Sequence, residues 1–258
     1  MPKINKDSTL NITFVGIGLC LLCSAIISFI AIQLRSVQEN NVVLDMQKKI
    51  VSSAGLEEVY GSVENAMSNI KTMIIDLDMG EIIDASPDTY ELAKELREDG
   101  RYKFLSAEED IASIKKREKY SKIYIEYKDN KINTLILPVR GYGLWGILYG
   151  YLAIEGDFNT VAGLEFYEHK ETPGLGAEID NPKWKALWKG KKIYQDNGEV
   201  SLKVIKGVAL QTSNNFNYEI DGLSGATLTC NGVSNLIAYW MGKDGFLKFI
   251  NNLQKIDV

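Results

Sequence analysis

The sequence predicts an α+β domain that follows a single N-terminal membrane-spanning helix. An uncharged apolar run over 12–34 gives the membrane helix. Strand-like patterns in the middle of the chain, with helix-like patterns towards its ends, give the fold class. We expect a tail and membrane helix over 1–35, a juxtamembrane helical or mixed region over 36–120, and the main domain over 121–258.

The membrane segment reads ITFVGIGLCLLCSAIISFIAIQL and contains no charged residue. Its length of about 23 residues is enough to cross a bilayer about 30 Å thick. A signal peptide is the alternative, but the run is longer than a signal core and no A-x-A-like cleavage site follows. Lys3 and Lys6 precede the span, whereas Arg35, Lys48 and Lys49 follow it among acidic residues. The slight N-terminal excess of basic residues predicts a cytoplasmic N-terminus and an extracytoplasmic main domain.

Composition argues against several classes of function. The net charge of -5 and the lack of a basic patch argue against nucleic-acid binding, and one histidine argues against a zinc hydrolase or a His-based triad. Three cysteines do not make a disulfide framework. Cys20 and Cys23 lie inside the membrane segment and are interpreted as small apolar fillers, which leaves Cys230 as the only cysteine outside it.

The remaining elements follow in order along the chain. Residues 36–56 predict a juxtamembrane helix that stops at Gly55, and 86–100 predict a helix capped by Ser86. KIYIEYK and TLILPV predict a hairpin, since each reads as a strand and a short gap separates them. Further strands are predicted in LWGILYGYLAI, VAGLEFYEH and VSLKVIKG, and the final helices in NLIAYWMG and GFLKFINNLQ.

The first glycine-rich stretch is YEHKETPGLGAEID, over 167–180. Gly174 and Gly176 would let the backbone bend tightly and approach a flat ligand. The alternative is a surface turn built on Pro-Gly chemistry. The stretch is neither a Walker loop, because no lysine follows the glycine, nor a Rossmann fingerprint, because its glycine spacing differs.

The second stretch is DGLSGATLTCNGV, over 221–233, and it precedes an apolar segment with helical spacing. Ser224, Thr227 and Thr229 offer hydroxyls next to free N–H groups at a helix N-terminus, a place that suits a phosphate. The alternative is that Ser224 or Thr229 is simply an N-cap. The pattern alone leaves the two interpretations open.

DGLSGATLT resembles the flavinylation motif D-G-x-[ST]-G-A-T-x-[ST], in which a flavin transferase links FMN through its phosphate to the threonine. Together with GYGLWGILYGYLAI and YEHKETPGLGAEI, it is similar to the NqrC family, the FMN-binding subunits of Na+-translocating NADH:quinone reductases. The resemblance covers essentially the whole chain and is strongest from Val139 onward. Ala177 stands where family members often have a second glycine, a difference that we expect to be harmless.

The resemblance implies that Thr227 is the covalent FMN acceptor and that Thr229 is its close competitor. It also implies two supporting sets. The turn is shaped by Ser224, Gly225 and Ala226, and the plausible flavin neighbours are Glu171, Thr172, Leu175 and Gly176. Asp221 is read by the transferase or caps the turn, and Trp145 packs near the flavin or in the core. His169 is interpreted as structural, and no catalytic side chain or metal ligand is assigned.

The implied function is an electron relay through covalent FMN, from an iron–sulfur centre in neighbouring membrane subunits to a second FMN on a partner. The complex would couple quinone reduction to Na+ export, and this chain would be inactive alone. The implied location is the bacterial inner membrane, with contacts to lipid and a periplasmic main domain. The alternatives are the equivalent FMN carrier of an Rnf-type ferredoxin:NAD+ complex and a non-redox, membrane-anchored binding module.

Overall fold

The computed structural model describes residues 8–256, so Lys3 and Lys6 lie outside the described part of the chain. The chain divides into one compact unit that ends at Met46 and a second that runs from Gln47. Helix α1, Thr9–Ser53, is long and apolar enough to cross a membrane, with a mean hydropathy of 2.6 in its most apolar window. This confirms the predicted membrane-type helix by length and composition.

The second unit contains both helices and strands, which confirms the α+β class. Its helices after α1 are α2 Leu56–Tyr60, α3 Val63–Ser68, α4 Leu92–Glu95, α5 Pro182–Ala186, α6 Thr227–Trp240 and α7 Leu247–Ile256. Its strands are β1 Ile70–Asp76, β2 Glu81–Ile83, β3 Tyr102–Phe104, β4 Lys116–Glu118, β5 Tyr120–Lys128, β6 Lys131–Tyr142, β7 Ile147–Glu155, β8 Val161–Glu168, β9 Lys203–Val204 and β10 Glu219–Ile220.

The main sheet is antiparallel, with the strand order β2-β1-β5-β6-β7-β8. The predicted hairpin between β5 and β6 is confirmed, and it turns at Asp129 and Asn130, whose φ angles are 52° and 62°. Asp and Asn tolerate this left-handed conformation better than most residues, which suits a two-residue hairpin turn. The sheet takes strands from both sides of residue 120, and the predicted division there stays a prediction.

Side-chain alternation gives the sheet two buried faces. Ile123, Ile125 and Leu135 point into the larger core, whereas Tyr124 and Ile136 point into the smaller one. The smaller core is closed by the end of α1 with α2 and α3. The larger core is closed mainly by α6 and α7.

Helix α6 is held close to β6 by small residues and one hydrogen bond. A Cβ on Gly141 would meet Leu236 Cβ at 2.8 Å, and a Cβ on Gly232 would collide with the Tyr142 carbonyl. At the far end of the helix, Trp240 Nε1 donates to the Arg140 carbonyl at 2.7 Å. The start of α6 is therefore fixed beside the end of β6.

Two element predictions need correction. The single helix over 86–100 is wrong, because Tyr90 is extended (φ -79°, ψ 125°) and separates a 3₁₀ turn, Pro87–Thr89, from α4. The strand over 200–207 is reduced to β9, because its hydrogen-bond partners change along its length. Ser201 N donates to the Ile193 carbonyl, whereas Ile205 N donates to that of Ile220.

Candidate functional site

Three loops meet at the start of α6. Strands β6 and β8 run in the same direction in the antiparallel sheet, so both end at the same edge. The loops that follow them are 143–146 and 169–176, and the turn 221–226 leads into α6 beside them. The fold thus brings the three quoted motifs together, although about fifty residues separate the second glycine-rich stretch from the first along the chain.

Glu171 joins the three loops. Its Oε1 accepts hydrogen bonds from Leu144 N at 2.9 Å and Trp145 N at 3.0 Å. Its Oε2 accepts a hydrogen bond from Thr229 Oγ1 at 2.5 Å. Glu171 is 5% exposed and Thr229 is 1% exposed. Because buried carboxylates need such donors, these three bonds account for the presence of the charge under the site.

Two glycines leave the space that the Glu171 carboxylate fills. A Cβ on Gly143 would meet Glu171 Oε1 at 2.6 Å, and a Cβ on Gly176 would meet both Glu171 Oε2 and Thr229 Oγ1 at 2.6 Å. His169 supports the same loop, since its Nδ1 accepts a hydrogen bond from Glu171 N at 3.2 Å. The histidine therefore has the structural role predicted for it.

The turn before α6 is fixed by Asp221 and Gly225. Asp221 Oδ1 accepts a hydrogen bond from Ala209 N at 2.8 Å, so its side chain holds the segment that ends near 209. Gly225 adopts φ +74°, a left-handed conformation that favours glycine, and a Cβ there would meet Leu175 Cδ2 at 2.9 Å. The turn and the first glycine-rich loop are therefore in direct contact.

Helix α6 begins after Ala226, and no side chain among the described residues caps this start. The prediction that Ser224 or Thr229 serves as N-cap is wrong, because Thr229 lies within the first turn and donates to Glu171 instead. Thr227 is exposed at the same helix start. Its hydroxyl thus lies next to N–H groups that remain free to bind an anion.

A cleft of about 440 Å³ opens on the exposed side of the turn. Its walls are the segment 204–208, the turn 222–225, and the first residues of α6, including Thr227 and Asn231. Cys230 also contributes to the wall, and burial raises the pKa of its thiol above the ordinary value. The volume lies within the range usual for small-molecule sites.

The predicted site residues divide into two groups. Those at the surface are Thr172, Leu175, Ser224, Gly225 and Thr227, and those that are buried are Glu171, Gly176, Ala226 and Thr229. Trp145 is 62% exposed, so its interpretation as a core residue is wrong.

Sequence reasoning missed the segment 204–208, which forms one wall of the cleft. No local signal marks this segment. It reaches the site only because Gly222 N donates to the Gly207 carbonyl and β9 pairs with β10.

Within residues 8–256, no group of three or more His, Cys, Asp or Glu side chains is arranged to hold a metal ion. The part of the chain that forms the three loops and α6 matches a protein family described as "FMN-binding domain", over residues 143–242. The exposed threonine, the free helix start and the adjacent cleft offer a phosphate attachment point and room for a ring system, so the residues present fit this cofactor.

Characterised relatives extend the match to nearly the whole chain. The chain is 46% identical to the C-type subunit of the Na(+)-translocating NADH-quinone reductase of Pseudomonas aeruginosa, covering 97% of this chain and 98% of the relative. It is 41% identical to the protein of the same name from Vibrio anguillarum, covering 95% of each.

Solved structures agree. The crystal structure of NqrC from Shewanella oneidensis matches with a TM-score of 0.72 and 30% identity, covering 81% of this chain and 96% of that one. The crystal structure of the corresponding reductase component from Parabacteroides distasonis matches with a TM-score of 0.61 and 28% identity, covering 84% and 96%. The chain therefore belongs to the NqrC family of the Na+-translocating NADH-quinone reductases.

Proposed function

We propose that the chain carries FMN as a phosphoester on Thr227 and relays electrons within a Na+-translocating NADH:quinone reductase. Family membership and the FMN-binding match support the electron-carrying role and the cofactor. The bound flavin would supply the redox chemistry, and the chain would supply its attachment, orientation and electrostatic surroundings. The chain alone would have no reductase activity.

The observation that carries the attachment site is the contrast between two threonines of one motif. Thr227 is exposed at the helix start, whereas Thr229 is 1% exposed and donates its hydroxyl proton to Glu171. Attachment requires an external enzyme to reach and activate a hydroxyl, because an unassisted threonine is a poor nucleophile. Only the exposed threonine of the pair offers that access in this structure.

The other predicted site residues support this attachment in two ways. Leu175 and Thr172 are exposed beside the turn and would flank the flavin ring. Glu171, Gly176 and Thr229 lie beneath the surface and would hold the loops in place. Ser224, Gly225 and Ala226 would set the shape of the turn.

The family name places the chain among the subunits of a larger complex, and we extend this to specific partners. A flavin transferase would attach FMN after the turn has folded. Helix α1 would cross the bacterial inner membrane in contact with lipid, with the N-terminus in the cytoplasm and the FMN-carrying domain in the periplasm. The apolar segment 12–34 supports the membrane crossing, and the basic residues around it support the orientation.

The test is to co-express the full chain with a flavin transferase and to examine a denaturing gel under ultraviolet light. We expect a fluorescent band for the wild type and for Ser224→Ala, and none for Thr227→Ala. Intact mass should show one FMN less one water. A band that survives Thr227→Ala contradicts the assignment, and a band that is lost only in Thr229→Ala moves the attachment to that residue.

The same experiment addresses the alternatives. A non-redox binding module predicts a chain without flavin under all conditions. The FMN carrier of an Rnf-type complex would hold the same flavin, so it is distinguished by its partners: a quinone-reductase component should co-purify with a protein that has an NADH-dependent FAD domain. The names of the relatives favour the quinone reductase.

A further inference from the structure

The cleft beside Thr227 has one charged side chain among its described lining residues, Lys206. We propose that this cleft receives the flavin tethered to Thr227 and that Lys206 is the residue whose positive charge favours the reduced cofactor. The proposal rests on the proposed attachment of FMN to Thr227. It adds a residue and a wall of the site that the flavinylation motif does not contain.

The cleft meets the requirements for one end of a flat, largely apolar ligand. Val204, Val208 and Leu223 give it apolar walls, and Lys206 and Asn231 add a few polar groups. This mixture is typical of small-molecule sites, in which apolar surface supplies affinity and sparse polar groups fix orientation. Thr227 lies on the rim, so a ligand attached there enters the cleft without leaving its tether.

The wall that carries Lys206 is held firmly against the motif. Ile205 N donates to the Ile220 carbonyl at 2.9 Å, and Gly222 N donates to the Gly207 carbonyl at 2.8 Å. A Cβ on Gly222 would collide with the Ile205 carbonyl, so the two backbones are in close contact. Lys206 lies between these two hydrogen-bonded positions, and its backbone is therefore fixed relative to the turn that leads to Thr227.

The Lys206 ammonium is available to a ligand. Among residues 8–256 it makes no ion pair or hydrogen bond, in contrast to Lys185, which pairs with Glu165 at 2.6 Å. A lysine fixed at its backbone, free at its tip and facing a cleft can approach a bound anion without first breaking a pair. This arrangement is what a charge-stabilising residue requires.

The expected consequence is electrostatic. Reduction adds electrons to the flavin ring, and the reduced ring carries negative charge once it is not fully protonated. A nearby positive charge lowers the free energy of that form relative to the oxidised form, and protein charges near the ring are among the main determinants of flavin electronics. Lys206 should therefore raise the reduction potential of the attached FMN.

The experiment uses the full-length chain, co-expressed with a flavin transferase and purified in detergent, in four forms: wild type, Lys206→Gln, Lys206→Arg and Lys203→Gln. Lys203 is the matched control, because it is an exposed lysine on the same segment but does not line this cleft. Flavin loading is measured by in-gel fluorescence, and the oxidised-to-reduced ratio is followed by absorbance during a redox titration.

We expect all four forms to be labelled. At a fixed solution potential, Lys206→Gln should shift the flavin about tenfold towards the oxidised form, a change of about 30 mV for a two-electron couple. Lys206→Arg should stay close to wild type because it keeps the charge, and Lys203→Gln should change the ratio much less than Lys206→Gln.

Three outcomes overturn the proposal. The first is no shift in Lys206→Gln, and the second is an equal shift in Lys203→Gln, which would indicate a general surface effect. The third is loss of labelling in Lys206→Gln alone, which would assign Lys206 to transferase recognition instead. An unlabelled wild type is a distinct result, since it contradicts the attachment to Thr227 itself, and this proposal falls with it.

Discussion

The two sides of the start of α6 differ sharply. On one side, Glu171, Thr229 and two glycines form a closed, buried set in which each Glu171 carboxylate oxygen has a donor. On the other side, Thr227 and the turn before it face an open cleft. Two residues of helix place consecutive threonines of the motif about 200° apart, so the same side chain meets opposite surroundings.

This difference indicates how the motif divides its work. The buried side stabilises the turn and the loops around it, and the open side remains accessible for modification. An attachment site needs both, because an external enzyme must reach one hydroxyl while the backbone beneath it stays fixed. The contrast yields predictions in which stability and flavin loading change separately.

The largest effect on stability should come from Glu171→Ala. The change removes the acceptor for Leu144 N, Trp145 N and Thr229 Oγ1, and buried donors without partners cost about 1–3 kcal/mol each, partly relieved by water. We expect the free energy of unfolding to fall by about 4 kcal/mol. Urea unfolding of the full-length chain in detergent, followed by tryptophan fluorescence, measures this change.

Two further variants control for that result. Thr172→Ala alters the next residue, which is exposed, and should change stability by no more than about 0.5 kcal/mol. Glu171→Gln keeps the shape and one acceptor oxygen, and should fall between Glu171→Ala and wild type. An equal loss in Thr172→Ala and Glu171→Ala would contradict the role assigned to the buried carboxylate.

A smaller loss is expected for Gly176→Ala. The new Cβ would lie 2.6 Å from both Glu171 Oε2 and Thr229 Oγ1, so one of these groups has to move. Overpacking of this kind costs about 1–3 kcal/mol, and we expect about 2 kcal/mol in the same urea experiment. Gly146→Ala is the control, since its Cβ would meet only the flexible Lys170 side chain, at 3.3 Å. Equal stability of the two variants would show that the buried side tolerates extra volume.

The sequence predicted the parts of the molecule that depend on neighbours along the chain. The membrane-type helix, the hairpin at Asp129 and Asn130, and the final helices follow from local apolar periodicity and turn chemistry. The helix over 86–100 failed for the opposite reason. Its cap and proline are good local signals, but the extended backbone of Tyr90 interrupts it, and the Tyr90 hydroxyl donates to the distant Tyr120 carbonyl.

The same limit applies to the site. The motif residues around Thr227 could be named in advance because the resemblance carries them, and their assignment as cofactor contacts stays a prediction. Neither the burial of Glu171 under the loops nor the cleft wall at Lys206 could be predicted. Both depend on strands and loops that meet across long stretches of chain, and no sequence spacing records which side of a helix will be covered.

The smallest effect separates the two threonines most directly. Thr229→Val keeps the side-chain shape but removes the donor to Glu171 Oε2, and should cost about 1.5 kcal/mol, the lower end for a hydrogen bond to a charged group. Thr227→Val alters an exposed side chain and should cost no more than about 0.5 kcal/mol. Flavin loading should show the reverse order, with a fluorescent band in Thr229→Val and none in Thr227→Val. If one variant lost both stability and flavin while the other lost neither, the separation of the two sides would be wrong, because a single threonine would then both support the turn and accept the flavin.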